Sequence, residues 1–221
     1  MNASSLTLII ARHAESGFNN ENRIQGHLDS KLTPRGARQA AALARRLAPL
    51  KIKRVYSSDL GRALSTTRTV IRALKLPIVA EPGLREISLG KWEGLTPDEV
   101  NRRFRNGYDA WRKSPSRKVI PGGETIRQFH RRIRGTFDRI VRAERSGLVL
   151  VMTHGGVISS ILSHWMKADF DRVLLNLRID NTSLTLAEFR GGHVILHAVN
   201  DVSHLSSREK SDGITVFTQR R

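Results

Sequence analysis

The sequence contains no cysteine, which removes disulfide frameworks, zinc–thiolate sites, iron–sulfur clusters and cysteine nucleophiles together. Acidic side chains are scarce: 20 Asp and Glu stand against 38 Lys and Arg, a formal charge of +18 over 221 residues. Aromatic residues make up only 5%, and the arginine-rich stretches lack the interleaved aromatics of a base-stacking surface. No helix-turn-helix or ribonucleoprotein pattern is visible, so a nucleic-acid partner is suggested by charge alone and no specific one is expected. No run of about 18 apolar residues exists, so no membrane span is expected. The most apolar N-terminal stretch, Leu6 to Ala11, is shorter than a signal-peptide core, has no Lys or Arg before it and is followed by Arg12. These absences point to a cytoplasmic protein.

What is present is enough for a core. Apolar residues reach 39% and are joined by 17 glycines, a globular composition that argues against disorder. A chain of this length buries roughly 70% of its unfolded surface, and the expectation is a single domain over 1–221, with a basic excursion at about 95–124 and a frayed tail at about 206–221. The positive charge concentrates between Asn101 and Arg145, where Asp109, Glu124, Asp138 and Glu144 are the acidic residues. Solvated helix faces, steering of anionic substrates and nucleic-acid contact all fit such a surplus.

Periodicity gives the organisation. LTLIIAR, from Leu6, reads as a buried strand ending in the polar cluster HAESGFNN. Thr33 and Pro34 open a helix whose stripe is Ala40, Leu43, Ala44 and Leu47. A short strand follows at Val55 to Ser57, then a helix capped by Ser58 or Asp59 and a third strand at Ile78 to Ala80. Thr96, Pro97 and Glu99 form a capping box that starts a helix to about Asn106, while Gly107 to Gly123 reads as an excursion from the core. Ile126, Phe129, Ile133, Phe137, Ile140 and Val141 mark a surface helix with arginines on its other side. LVLVMT, Leu148 to Thr153, is a second buried strand followed by HGG and an apolar helix from Val157 to Met166. Ser183 to Phe189 and Val194 to Val199 flank a hairpin turn at Arg190 to Gly192. Alternating strands and helices predict an α/β fold: a three-layer αβα sandwich with a mainly parallel central sheet and an antiparallel C-terminal hairpin.

Two histidines of the eight, His13 and His154, directly follow the two most apolar strands, where ligands bind in parallel α/β sheets. Metal binding is a weaker reading of the pair, because no HExxH or HxH spacing is present. Arg12 adjoins His13, and Arg62 opens the helix after the second strand, where the helix dipole and free N–H groups favour an anion. Guanidinium groups bind phosphate oxygens through paired hydrogen bonds, so Arg12, Arg62 and His154 could surround one phosphoryl group.

These residues resemble the signature blocks of the histidine phosphatase superfamily, also called phosphoglycerate mutase-like, from Leu6 to about Leu205. The family's RHGExxxN reads Arg12-His13-Ala14-Glu15 through Asn19; QGxxDxPLTxxGxxQA reads QGHLDSKLTPRGARQA from Gln25 to Ala40. SDLxRAxxT follows at Ser58 to Thr66, LRExxxGxWEG at Leu84 to Gly94, and THGG at Thr153 to Gly156. Ala14 and Lys31 replace a glycine and a proline of the pattern.

The resemblance implies a phosphoglycerate mutase-like fold and a nucleophilic His13 that becomes phosphorylated. It implies that Arg12, Arg62, His154 and Asn19 hold the phosphoryl group with the backbone at Gly155, and that Glu86 protonates the leaving oxygen and then activates water. No metal or cofactor is then required, and the partner is a small anionic phosphomonoester. GLTPDEVNRRF, Trp111 and Pro121 to Thr125 are similar to the phosphatase branch, which includes broad-specificity, α-ribazole and glucosyl-3-phosphoglycerate phosphatases; mutase-type transfer is the alternative. The surplus of Arg102, Arg103, Arg105, Arg112, Lys113, Arg117 and Lys118 leads to the expectation of a basic wall over the pocket, against the equally weighted reading of a solvated face. The oligomeric state leaves no sequence signal.

Overall fold

The computed structural model describes residues 5–210. Strands β1 (Leu6–Arg12), β2 (Ile52–Ser57), β3 (Ile78–Ala80), β4 (Gly147–Thr153), β5 (Leu184–Arg190) and β6 (His193–Asp201) alternate with helices α1 (Gly17–Asn20), α2 (Pro34–Leu47), α3 (Gly61–Leu74), α4 (Pro97–Arg103), α5 (Gly107–Lys113), α6 (Ile126–Glu144), α7 (Gly155–Trp165) and α8 (Phe170–Asn176). They form one mixed sheet of order β3-β2-β4-β1-β5-β6. The first four are parallel, and β5 and β6 pair antiparallel, as the two turn glycines predict.

Successive residues of a strand face opposite sides, and β1 and β4 are apolar on both. Leu6, Leu8, Ile10, Val149 and Val151 join Phe129, Ile133, Phe137, Ile158 and Leu162 of α6 and α7 in the larger core. Ile9, Ala11, Leu150 and Met152 pack on the other face against Leu43, Leu47, Ala63 and Val70 of α2 and α3. The expected αβα layering follows from this split. Among the described residues no helix is long and apolar enough to cross a membrane.

Several details differ from expectation. The stretch 107–123 does not leave the core: Tyr108, Trp111 and Ile120 are buried in the larger cluster beside Trp92 and Val100. Its few aromatics are spaced through Gly, Pro and Arg, which hid their common face. Helix α4 stops at Arg103 because Arg105 and Asn106 adopt left-handed backbone. Neither Ser58 nor Asp59 caps α3, whose N-cap is Leu60; the carboxylate of Asp29 instead accepts from Gly61 N and Arg62 N. Of the tail expected to fray, 206–210 forms a turn whose Glu209 carbonyl accepts from the buried Gln39, and 211–221 lies outside the described residues.

Candidate active site

Register builds the site. In the parallel β1–β4 ladder Arg12 pairs with Thr153, so the next residues, His13 and His154, emerge side by side at the carboxyl ends of adjacent strands. Their rings lie 5.1 Å apart, and His13 N donates to Thr153 O at 2.9 Å. The following segments diverge, one to the loop before α1 and the other into α7, which opens the crevice expected at such strand ends. Arg12, His13, Asn19, Arg23, Ile24, Gln25, Gly26, Arg62, Glu86 and Leu89 line it.

Histidine 13 is oriented by its own loop. Its Nδ1 lies 2.7 Å from Ala14 O, and a carbonyl only accepts, so Nδ1 carries the proton and Nε2 keeps its lone pair. Burial, then Arg62 and Arg12, hold His13 well below the usual histidine pKa, which leaves the ring neutral and nucleophilic. Ala14 is fully buried and lies outside the left-handed region, so the methyl group that replaces glycine strains nothing.

Both arginines are fixed by backbone oxygens. Arg62, 2% exposed, donates through Nη2 to Gly26 O and through Nη1 to Leu28 O and Asp29, and its Nε has no partner. Arg12 donates through Nη1 to Ile179 O and likewise leaves Nε unpaired. Burial lowers the Arg12 pKa to about 10, so the guanidinium stays charged at neutral pH.

His154 is fully buried, and burial, Arg62, His13 and Arg12 push its pKa down. Its Nε2 lies 2.8 Å from Ser58 Oγ, and its Nδ1 has no partner. Ser58 Oγ also accepts from Leu60 N at 3.3 Å, which holds the hydroxyl between the start of α3 and the imidazole. Two buried donors, Arg12 Nε and Arg62 Nε, and the imidazole nitrogen Nδ1 of His154 are thus unmatched near His13. Unmatched buried donors are costly and rare in folded chains, and an oxyanion in the crevice would satisfy them.

Glu86 reaches the same crevice from the loop after β3. Its two carboxylate oxygens accept from Ile87 N and Gly156 N, each at 3.0 Å. A Cβ at Gly156 would collide with Glu86 Oε1, whereas one at Gly155 would only touch Arg12. The loop is pinned from three sides: Thr153 Oγ1 donates to Leu84 O, His27 Nε2 to Glu86 O, and Arg132 of α6 to the carbonyls of Gly83, Arg85 and Glu86. Asn19 Oδ1 is occupied by Ser16 N and Oγ, which leaves its amide hydrogens for the crevice.

Of the seven sequence-chosen residues, Arg12, His13, Asn19, Arg62 and Glu86 line the crevice, while His154 and Gly155 are buried beside it, His154 against the His13 ring and Gly155 against Arg12. Sequence reading missed Ser58 as a partner of His154, Asp29 and Gly26 as holders of Arg62, and Asn181, whose Nδ2 donates to His13 O. Gly26 and Asp29 do stand in the quoted block Gln25 to Ala40; Asn181 carries no local signal. The stretch 102–118 does not line the crevice, where Arg23 is the extra cation. Lys113 and Arg117 instead border a separate depression with Asp169 and Asp171, because α5 turns Tyr108 and Trp111 into the core. Among the described residues no three His, Asp or Glu side chains are grouped to share a metal ion.

A family model described as the histidine phosphatase superfamily (branch 1) matches residues 8–202. The metal-independent phosphoserine phosphatase of Arabidopsis thaliana is 35% identical over 205 residues, covering 90% of this chain and 83% of that protein. The solved structure of Bacillus stearothermophilus YhfR superposes with a TM-score of 0.86 at 33% identity, covering 90% and 98%. A mutant phosphoserine phosphatase of Entamoeba histolytica, solved with phosphoserine, gives 0.79 at 26% identity, covering 91% and 100%. The chain belongs to branch 1 of the histidine phosphatase superfamily and is a phosphoric monoester hydrolase.

Proposed function

We propose that the chain hydrolyses small phosphorylated metabolites without a metal ion, through a phosphohistidine at His13. The observation that carries this reading is the trio of unmatched buried nitrogens, two of them guanidinium donors, around a nucleophilic imidazole. Arg12 Nε, Arg62 Nε and His154 Nδ1 hold the phosphoryl oxygens and neutralise charge that develops on them, with Asn19 and the backbone at Gly155 completing the cradle. His13 Nε2 attacks phosphorus, an N–P bond forms as the ester O–P bond breaks, and Glu86 gives its proton to the departing oxygen. Glu86, now ionised, takes a proton from water as that water attacks phosphorus, releasing inorganic phosphate and restoring His13. Two arginines supply the cationic role that a metal plays in other phosphatases.

Serine phosphate is the first substrate to try, given the phosphoserine phosphatases among the relatives. The test is a panel of phosphomonoesters in EDTA, scored by kcat/KM, with serine phosphate, alkyl phosphates, and 3-phosphoglycerate with and without its bisphosphate. Phosphate release from the panel supports the reading. Isomerisation of 3-phosphoglycerate faster than phosphate release would make the chain a mutase, and dependence on an added divalent ion would remove the metal-free mechanism.

A further inference from the structure

Much of the positive charge lies apart from the crevice, in a groove of about 820 Å³ between α6, α7 and the start of α8. Two helical stripes face each other across it. On α6 these are Arg127, His130, Arg131 and Arg134; on α7 and its C-terminal turn, Ser160, Ser163, His164 and Lys167. Both follow the i, i+3, i+4, i+7 spacing that puts residues on one helix side. Ile161, Ala168 and Phe170 supply an apolar floor.

Some arginines elsewhere have carboxylates: Arg23 has Glu21 and Glu99, Arg62 has Asp29, Arg85 has Asp59, and Arg132 has Glu124; others, such as Arg102 and Arg103, stand apart on the open surface, whereas those of the groove converge on one concavity. Arg127, Arg131, Arg134 and Lys167 form no ion pair among the described residues. One carboxylate, Asp169, lines the groove as well and caps α8, while Asp171 holds Ser114 and Ser116. His130 packs edge-on against Phe170 at 4.4 Å, and its Nε2 is buried without a partner. Four cations against the one carboxylate of Asp169 leave the concavity strongly positive, and such like charges repel, which a bare folded chain gains nothing by holding. Arg127 to Arg134 spans roughly 10 Å along the helix, longer than one phosphoryl group.

The geometry points to a second anion site in this groove, for a ligand carrying two or more linked phosphoryl groups. Guanidinium forks on α6 take the phosphoryl oxygens from one side and Lys167 from the other, while the floor tolerates an apolar or aromatic portion. The site is separate from the crevice and does not rest on the phosphohistidine reading.

The test uses the full chain carrying His13→Ala, so that nothing is turned over, titrated calorimetrically with tripolyphosphate at low and moderate salt. The result expected is a binding event that Arg131→Ser with Lys167→Ser weakens at least 10-fold, and that Arg62→Ala in the crevice leaves within about 2-fold. The exposed pair Arg102→Ser with Arg103→Ser, placed elsewhere, removes the same charge and should also leave it within about 2-fold. With His13 intact, the Arg131/Lys167 variant should keep its turnover of p-nitrophenyl phosphate. Binding abolished by Arg62→Ala would reduce the groove to solvated surface, as would equal losses from both double variants or no second event at all.

Discussion

The crevice and the α6–α7 groove are both cationic, yet they are built oppositely. In the crevice Arg12 and Arg62 are 6% and 2% exposed and are tied to carbonyls of Ile179, Gly26 and Leu28. In the groove Arg127, Arg131, Arg134 and Lys167 are exposed and free of ion pairs. Burying a guanidinium is costly unless its N–H groups are matched; the fold anchors Arg62 through three hydrogen bonds and Arg12 through one, and leaves the buried Nε of each without a partner. A donor fixed in a dry pocket acts at full strength on a developing charge. Exposed cations act through a field that salt screens over about 10 Å at 0.1 M. The first arrangement suits catalysis, the second capture.

The largest effect that separates the two regions is on turnover. Arg62→Ala should lower kcat/KM for p-nitrophenyl phosphate by about 10³, the scale of losing one preorganised donor, and Arg131→Ser should change it less than about 3-fold. Circular dichroism checks that the Arg62 variant is folded, since it strands Asp29. Comparable losses in both variants would erase the distinction.

Glu86 sharpens the picture inside the crevice. Glu86→Gln should cost about 10² to 10³ with alkyl phosphates, within the range of general acid catalysis, and less than 10-fold with p-nitrophenyl phosphate, whose leaving group needs little protonation. Equal losses on both substrates would take Glu86 out of the acid role.

A smaller effect probes the setting of His154. Ser58→Ala removes the hydroxyl that holds Nε2, and should lower kcat about 10-fold, or roughly 1.4 kcal/mol. Ser58→Thr, which keeps the hydroxyl, should recover most of it. If both substitutions behave alike, Ser58 acts through packing only.

The last effect is on stability rather than turnover. His13 and His154 both sit well below 6.5 in the folded chain, so below pH 6.5 the unfolded chain binds more protons. Stability is then complete above about 6.5 and falls as pH drops, by at most about 1.4 kcal/mol per unit for each histidine. His130 and His204 are lowered in the same direction, so the slope of Tm between pH 7 and 5 should flatten, without vanishing, in His13→Asn with His154→Asn. An unchanged slope would mean the pair does not titrate as placed.

What the sequence could show follows the same physical line. β1 and β4 are legible because strands covered on both faces have no polar alternation, and residues at the ends of two such neighbours had to meet. Thr33 with Pro34, and Thr96 with Glu99 opening α4, are caps whose signal is local. The supporting atoms were hidden because their partners are remote: Asp29 caps α3 from 32 residues away, and Ser58, which reads as a cap, spends its hydroxyl on His154 across 96. Charge density hid the rest. The arginines of 102–118 read equally as a pocket wall or a solvated face, and Tyr108 and Trp111 decide how α5 sits, since burial of two aromatics outweighs the solvation of long cationic side chains.

The central claim is that His13 carries the phosphoryl group between ester and water. Turnover of a ³²P-labelled monoester, quenched within the steady state, tests it directly. The account predicts protein-bound label that survives alkali, is lost in acid as an N–P bond is, and is absent from His13→Ala. Label that survives acid, or that persists in His13→Ala, would assign the nucleophile to another side chain and contradict the account.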